Sequence, residues 1–278
     1  MLAGALPGPA RDLAGATLGV AAGELARVRR DLVEANLRRA FPEKDDDWRR
    51  RVASASYRHL GREALAMAAL GARSADEIRE RTPIRGWEAL EPAIARGRGV
   101  VMVTAHLGNW ELGGASLAVR GIGVDAVVQR QRNRLVDREI VRTREALGVR
   151  IIDRRHASRL VLPALRAGRV VGFVADQDAG RNGVFVPFFG SPASTHRGAA
   201  LFAIRADAPL FVGVAVRMAD GRYDCRAVEI VTDRSGPLDE AILRITAAFT
   251  KQIEDEVRTA PEQYFWLHRR WKTRPPQP

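Results

Sequence analysis

Hydrophobic and polar positions along the chain follow two regimes in succession. Over residues 24–40 and again over 47–69, apolar side chains recur at helical spacing; the first stretch closes at Phe41-Pro42 and the second at Gly71. The acidic residues between them form a loop in which Asp45 or Asp46 can cap the second helix. From residue 99 the pattern becomes strand, helix, strand. Short β-branched runs predict strands over 99–105, 124–129, 149–152, 170–175, 209–216 and 223–231, and amphipathic stretches predict helices over 110–120, 134–147, 158–167, 198–206 and 238–259. Such alternation predicts an α/β fold: a largely parallel central sheet flanked by helices, with a helical N-terminal segment.

At 278 residues, 46% of them hydrophobic, the chain can bury a sizeable core, and no shift in composition divides it into halves. One domain is expected over 27–278, made of a helical entry segment (27–95), an α/β core (96–260) and a basic-aromatic C-terminal segment (261–278). Residues 1–26 stand apart. Their uncharged run, 13–23, is shorter than the roughly 20 residues that a spanning helix needs. Leu13, Leu18, Val20 and Leu25, with basic residues just beyond, suit an interfacial membrane helix and equally a helix packed on the core. No basic region precedes the run, so no cleaved signal peptide is expected. The single cysteine, Cys225, excludes an intrachain disulfide and a cysteine-based zinc site. A formal charge of +12 attracts polyanions, whether nucleic acid, anionic lipid headgroups or an acidic carrier protein, and charge alone does not choose among them.

Candidate chemistry concentrates where the strand over 99–105 ends, in Thr104-Ala105-His106-Leu107-Gly108-Asn109-Trp110-Glu111. Within one continuous helix His106 and Glu111 would point roughly 140° apart, so the backbone must turn between them if they are to act together. Gly108 permits that turn, and Asn109 is a good N-cap that leaves Glu111 in the first helical turn and His106 on the loop before it. A buried histidine beside a dipole-favoured carboxylate is the plain alternative. The position favours function, because α/β proteins bind ligands outside the carboxyl ends of their strands.

The strand over 170–175 likewise ends in Asp176-Gln177-Asp178 and a glycine-bearing loop, acids that could orient a catalytic histidine, hold a metal or simply form Asx turns. Asp176 is the expected pocket residue of the two and Asp178 the structural one. Phe185, Phe188 and their neighbours around Pro187 read as core or as a wall for an alkyl chain. Arg134, Arg138 and Arg142 share one helical face and Arg144 lies on another; the default is a solvated face, but one arginine turned inward would supply a cation for a phosphate or an oxyanion. Near the end, residues 261–272 interleave aromatic and basic side chains as membrane interfaces and nucleic-acid binders do, with no known nucleic-acid module beside them. No G-x-S-x-G elbow and no G-x-x-x-x-G-K-[ST] loop occurs, which disfavours a serine hydrolase of the usual α/β type and a P-loop NTPase.

Four of these stretches occur in the order of one known family. Residues 104–114 resemble the H-x4-D/E motif of the lysophospholipid acyltransferase superfamily, in an acidic variant with Glu111. Residues 176–178 with 183–190, the closing stretch 261–275 and the early stretch 36–43 are similar to motifs of the bacterial lipid A biosynthesis acyltransferases of lauroyl and myristoyl type. The resemblance implies transfer of a fatty acyl group from an acyl-carrier-protein or acyl-CoA thioester to a hydroxyl of an anionic membrane glycolipid or lysolipid. It places the reaction at the cytoplasmic face of the bacterial inner membrane, on a peripheral or monotopic protein, without nucleic acid, metal or any cofactor beyond the acyl donor.

It further implies His106 as general base, Glu111 in the supporting acid role, Asp176 as a further acid near the histidine, and Arg144, then Arg142, as the pocket arginine. Asn109, Trp110, Gln177, Phe185 and Phe188 complete the expected substrate-binding set. The chemistry is consistent with this: an imidazole can take the proton of an attacking hydroxyl and return it to the leaving thiolate, with no protein nucleophile. Two other readings share the residues: a lipid or ester hydrolase at the same pocket, with or without a metal on Asp176 and Asp178, and a non-catalytic basic module that binds anionic lipid or nucleic acid.

Overall fold

The computed structural model describes residues 7–130 and 133–276. It opens with α1 (Gly8–Val20), which passes through a π-helical turn (Ala21–Leu25) into α2 (Arg30–Ala40) and α3 (Asp46–Ala68). The helix expected from residue 24 starts only at Arg30, because Arg27 and Arg29 adopt left-handed backbone angles, φ 47° and 55°. Arg29 then donates from Nη1 to the Leu267 carbonyl, a distant contact that no local pattern encodes. Asp45 is the N-cap of α3 and accepts from the Trp48 amide.

The first helix does not float free of the domain. Its glycine face lies on α3 so closely that a Cβ on Gly19 would stand 2.0 Å from the Tyr57 carbonyl oxygen, and one on Gly61 1.9 Å from that of Gly15. Helix propensity alone would reward Gly19→Ala by about 1 kcal/mol, but backbone-to-backbone contact leaves no room for any side chain. Gly19→Val is therefore expected to destabilise the protein by about 3 kcal/mol, read as a lower denaturation midpoint with accelerated amide exchange over α1. The opposite side of this segment leaves Leu13, Leu18, Leu25 and Val28 exposed. Among the described residues no helix is long and apolar enough to cross a membrane.

After α4 (Ala75–Arg81), β1 (Ile84–Arg85) and α5 (Trp87–Ala95), elements that the hydrophobic pattern did not announce, the α/β core begins. It runs β2 (Val100–Thr104), α6 (Trp110–Ala118), β3 (Val124–Val128), α7 (Arg134–Ala146), β4 (Val149–Asp153), α8 (Ala157–Arg166), β5 (Val170–Val174), a hairpin of β6 (Val184–Phe188) and β7 (Ser191–Thr195), α9 (Gly198–Ala206), β8 (Leu210–Arg217), β9 (Tyr223–Ile230) and α10 (Leu238–Thr259). The described residues form a seven-stranded sheet of order β1-β9-β8-β2-β5-β3-β4, parallel throughout except for β8 against β9.

Strands covered on both faces need apolar residues on both, which is why β2 reads as an unbroken run. Val101 and Val103 face a core shared with α8, α9 and α10, whereas Val100 and Met102 face α5 and α6. In the parallel register Thr104 pairs with Val174, so the chain leaves the sheet side by side after β2 and after β5. The two candidate stretches therefore meet at one carboxyl edge.

Candidate active site

His106 and Asp176 each lie two residues beyond the last register pair of β2 and β5. Nδ1 of His106 is 2.8 Å from Oδ1 of Asp176, and the His106 backbone amide donates to Oδ2 at 3.0 Å. A carboxylate so held accepts a hydrogen bond from Nδ1–H, which leaves Nε2 with the lone pair, the tautomer of a general base. Nε2 looks outward: 22% of the His106 side chain is exposed, and the polar neighbour of Nε2 is the Gln177 amide at 3.4 Å. Burial opposes charge on the ring, but Asp176, through its charge and hydrogen bond, and Glu111 from further away outweigh it and raise the His106 pKa above its ordinary 6.5. For Asp176 burial opposes ionisation, and the contacts to His106 together with the Arg270 charge win and lower its pKa.

Glu111 is not the acid that holds the histidine. It sits in the first turn of α6, as the sequence implied, with Gly108 in the left-handed region (φ 60°) and the Asn109 side chain accepting from the Leu112 amide at 2.9 Å. There it is gripped by Arg144, whose Nε donates to Oε2 at 2.7 Å and whose Nη2 donates to Oε1, while Trp110 Nε1 adds a bond at 3.1 Å. The carboxylate behind the imidazole is therefore Asp176, and Glu111, which the family resemblance put in that place, contacts Arg144 instead. Arg142 points away from the site, 79% exposed, 4.0 Å from Glu139. Residues two apart on a helix differ by about 200°, so only one of Arg142 and Arg144 can face inward.

Beside this pair opens a cavity between α6 and the sheet. Trp110, Glu111, Thr104 and Arg144 line it together with apolar residues, and Gly113, Gly114, Gly172 and Gly213 are among its walls. The small residues matter: Gly172 lies opposite Met102 and Ala126 on the neighbouring strands, and without their bulk the sheet face stays low enough to leave space under the helix. Trp110 joins the two halves of the site, its ring edge-on to His106 at 4.7 Å while its indole NH reaches Glu111.

The expected aromatic wall lies elsewhere. Phe188 is 1% exposed and packs against Phe189, Tyr264 and Trp271, and neither it nor Phe185 lines the cavity. Alternation along β6 turns Phe188 into the core under the hairpin. Asp178 is structural: it accepts from the Thr273 amide and hydroxyl and from the Gly180 amide, so it is engaged by the chain end rather than aimed at a ligand.

The C-terminal segment is not a surface strip. Tyr264, Trp266, Arg270 and Trp271 are buried, and residues 263–265 run along the loop that carries His106, with the Phe265 amide donating to the His106 carbonyl at 2.9 Å and the Gly108 amide to the Gln263 carbonyl at 3.1 Å. His268, which burial pulls below its ordinary pKa, accepts at Nε2 from the Asp178 amide, and Arg270 donates to the Ser194 carbonyl and the Thr195 hydroxyl. Behind the loop, the Asn109 amide donates to Glu63, a buried carboxylate that also bonds Tyr223 and Arg217. A carboxylate at residue 63 within a helical period, which any surface helix carries, gave no sign of this role.

A mostly parallel α/β sheet with a histidine–aspartate dyad at its carboxyl edge, and beside it a carboxylate–arginine pair on the wall of an apolar cavity, suits an enzyme that moves an acyl group. The whole-chain comparison gives the same class: residues 1–273 match the model of the bacterial lipid A biosynthesis acyltransferases, and the chain belongs to that family. It is 31% identical over 273 residues to a lipid A biosynthesis lauroyltransferase of Escherichia coli, covering 97% of this chain and 88% of that one. It is 30% identical over 273 residues to a lipid A biosynthesis palmitoleoyltransferase of the same organism, covering 97% and 87%. A phosphatidylinositol mannoside acyltransferase of Mycolicibacterium smegmatis is 27% identical over 225 residues, covering 80% and 71%. The protein is an acyltransferase.

Proposed function

We propose that this protein transfers a fatty acyl group from the thioester of an acyl carrier protein or CoA to a hydroxyl of a lipid A-type glycolipid, at the cytoplasmic face of the bacterial inner membrane. The observation that carries this reading is a His106 held at Nδ1 by Asp176, with its ring against Trp110, which together with Glu111 and Arg144 lines an apolar cavity. The acceptor hydroxyl gives its proton to Nε2 as its oxygen bonds to the thioester carbon. Negative charge then develops on the carbonyl oxygen, and Arg144, which spends two of its five donors on Glu111, has others left for it. As the C–S bond breaks, the proton passes from the imidazolium to the thiolate.

Asn109 and Trp110 hold the helix and the ring that frame this geometry, and Gln177 stands where the hydroxyl would approach. No covalent acyl-enzyme is required, in keeping with the lack of a serine elbow. Exposed Leu13, Leu18 and Leu25 with Arg27 and Arg29 alongside suit a helix that rests on an anionic bilayer as a peripheral anchor, and the +12 charge suits both that surface and an acidic carrier. Hydrolysis at the same dyad is not favoured by the family to which the chain belongs.

The test is purified protein given carrier and CoA thioesters of graded chain length with an under-acylated lipid A-type acceptor, read by lipid mass spectrometry. The expected product is acceptor heavier by one acyl group; release of free fatty acid at equal rate with and without acceptor would overturn the reading. A second outcome concerns chain length. A Cβ at Gly172 would meet only the Asp125 carbonyl, at 3.7 Å, so Gly172→Val folds and fills the cavity floor. Because a methylene-sized change in an apolar pocket is worth about 10- to 200-fold in discrimination, its preference is expected to move at least about tenfold towards shorter acyl chains. An unchanged chain-length profile would place the acyl group outside this cavity.

A further inference from the structure

On the far side of the first turn of α6 lies a second cavity, and its charges are unbalanced. Arg11, Arg73, Arg81 and Arg217 line it, with Asp12 and Tyr223. Asp12, the acid in that lining, is already paired with Arg217. Arg11 is only 8% exposed, and its Nε is buried without a hydrogen-bond partner. Among the described residues neither Arg11 nor Arg73 nor Arg81 makes an ion pair, and residues 1–6 include no acidic side chain. Burial, followed by the charges of Arg81 and Arg11, pulls the Arg73 guanidinium below its usual range, whereas Glu77 acts weakly against them.

Three neighbouring guanidinium groups without counter-ions, one of them buried, cost stability unless an anion joins them. Their planar forks match the oxygens of a phosphate. We infer that the cavity lined by Arg11, Arg73, Arg81 and Arg217 is an anion site that takes a phosphate monoester or the phosphate of a lipid headgroup. It is distinct from the reaction site: Asn109 and Leu112 face this cavity, whereas Trp110 and Glu111 face the other. Through the Glu63 carboxylate, shared by Arg217 and Asn109, an anion there would also brace the loop that carries His106.

The experiment compares wild type with Arg73→Gln and Arg81→Gln, chosen because both positions are only partly buried. In buffer of constant ionic strength set with chloride, glycerol 1-phosphate is expected to raise the melting temperature of wild type saturably, and either substitution to weaken that response at least tenfold in half-saturating concentration. Without the ligand, Arg73→Gln is expected to melt no lower than wild type, since it removes a repelling charge, whereas Arg81→Gln also loses a bond to the Gly221 carbonyl; a merely structural Arg73 would give the reverse.

Flotation with phosphatidylglycerol vesicles, against phosphatidylcholine vesicles as control, tells the two sources apart. Loss of phosphatidylglycerol binding in both variants marks a headgroup site, and unchanged flotation with a lost glycerol 1-phosphate response marks a free phosphate site. The inference fails if wild type shows neither a glycerol 1-phosphate response nor a preference for phosphatidylglycerol, or if both variants keep the wild-type responses.

Discussion

His106→Ala is expected to lower kcat for acyl transfer by about 10³- to 10⁴-fold, at the upper end of what a positioned general base contributes, while the melting temperature stays near that of wild type. The side chain is partly open and its backbone bonds to Asp176 and Phe265 survive the substitution, so the fold has little reason to change. Asp176→Asn should cost nearly as much for a different reason: an amide can present its NH2 to Nδ1 and force the proton onto Nε2, the tautomer that cannot accept from the hydroxyl.

The pH profile separates the two effects. The neutral ring is the active form, so the rate rises with pH through the His106 pKa, which lies above 6.5 in wild type. In Asp176→Asn the main raising interaction is lost and burial is opposed by the more distant Glu111 alone, so the acid limb should move to lower pH. Stability runs the other way, because the raised pKa gives a contribution fully present below pH 6.5 and lost as pH climbs through the folded-state value. Wild-type turnover by His106→Ala, or an acid limb indifferent to Asp176, would remove the dyad from the mechanism.

The second large effect is expected at Arg144. Arg144→Gln should lower kcat by about 10²- to 10³-fold, the loss seen when one donor to a developing oxyanion is removed, with little change in KM for the acceptor. Lysine should restore little, because a point charge cannot grip both oxygens of Glu111 and still direct a donor into the cavity. Since Glu111 acts by holding Arg144, the double variant Arg144→Gln with Glu111→Gln should be scarcely worse than Arg144→Gln alone. Additive losses would mean that the carboxylate touches substrate in its own right, and undiminished kcat in Arg144→Gln would deny the arginine any part in the transition state.

Much of this site is written in local sequence. The run from Val100 to Thr104 can only be a buried strand, Gly108 marks the turn, Asn109 marks the cap, and together they place Glu111 in the first turn of a helix with His106 on the loop before it. The difference between Arg142 and Arg144 was half legible: helical rotation says that they face opposite ways, but not which way is in. The pairing of functions was not legible. A spacing of five residues makes Glu111 look like the partner of His106, whereas the true partner stands 70 residues on, because β5 enters the sheet between β2 and β3 in register with Thr104.

The aromatic and basic chain end misled in the same manner. Tyr264, Trp266 and Arg270 have the composition of an interfacial strip, and only their return along the loop that carries His106 turns them into core. By itself, then, the sequence determined most of the elements and their order, α4, β1, α5 and the β6–β7 hairpin apart, together with the α/β class and the stretches that carry chemistry, because helix and strand periods, caps and turns are fixed by side chains a few residues apart. The tertiary structure alone decided which acid orients the histidine, which arginine faces the cavity and where that cavity lies. Those depend on strand order, register and the close approach of glycine backbones, which are set by contacts between residues far apart in the chain.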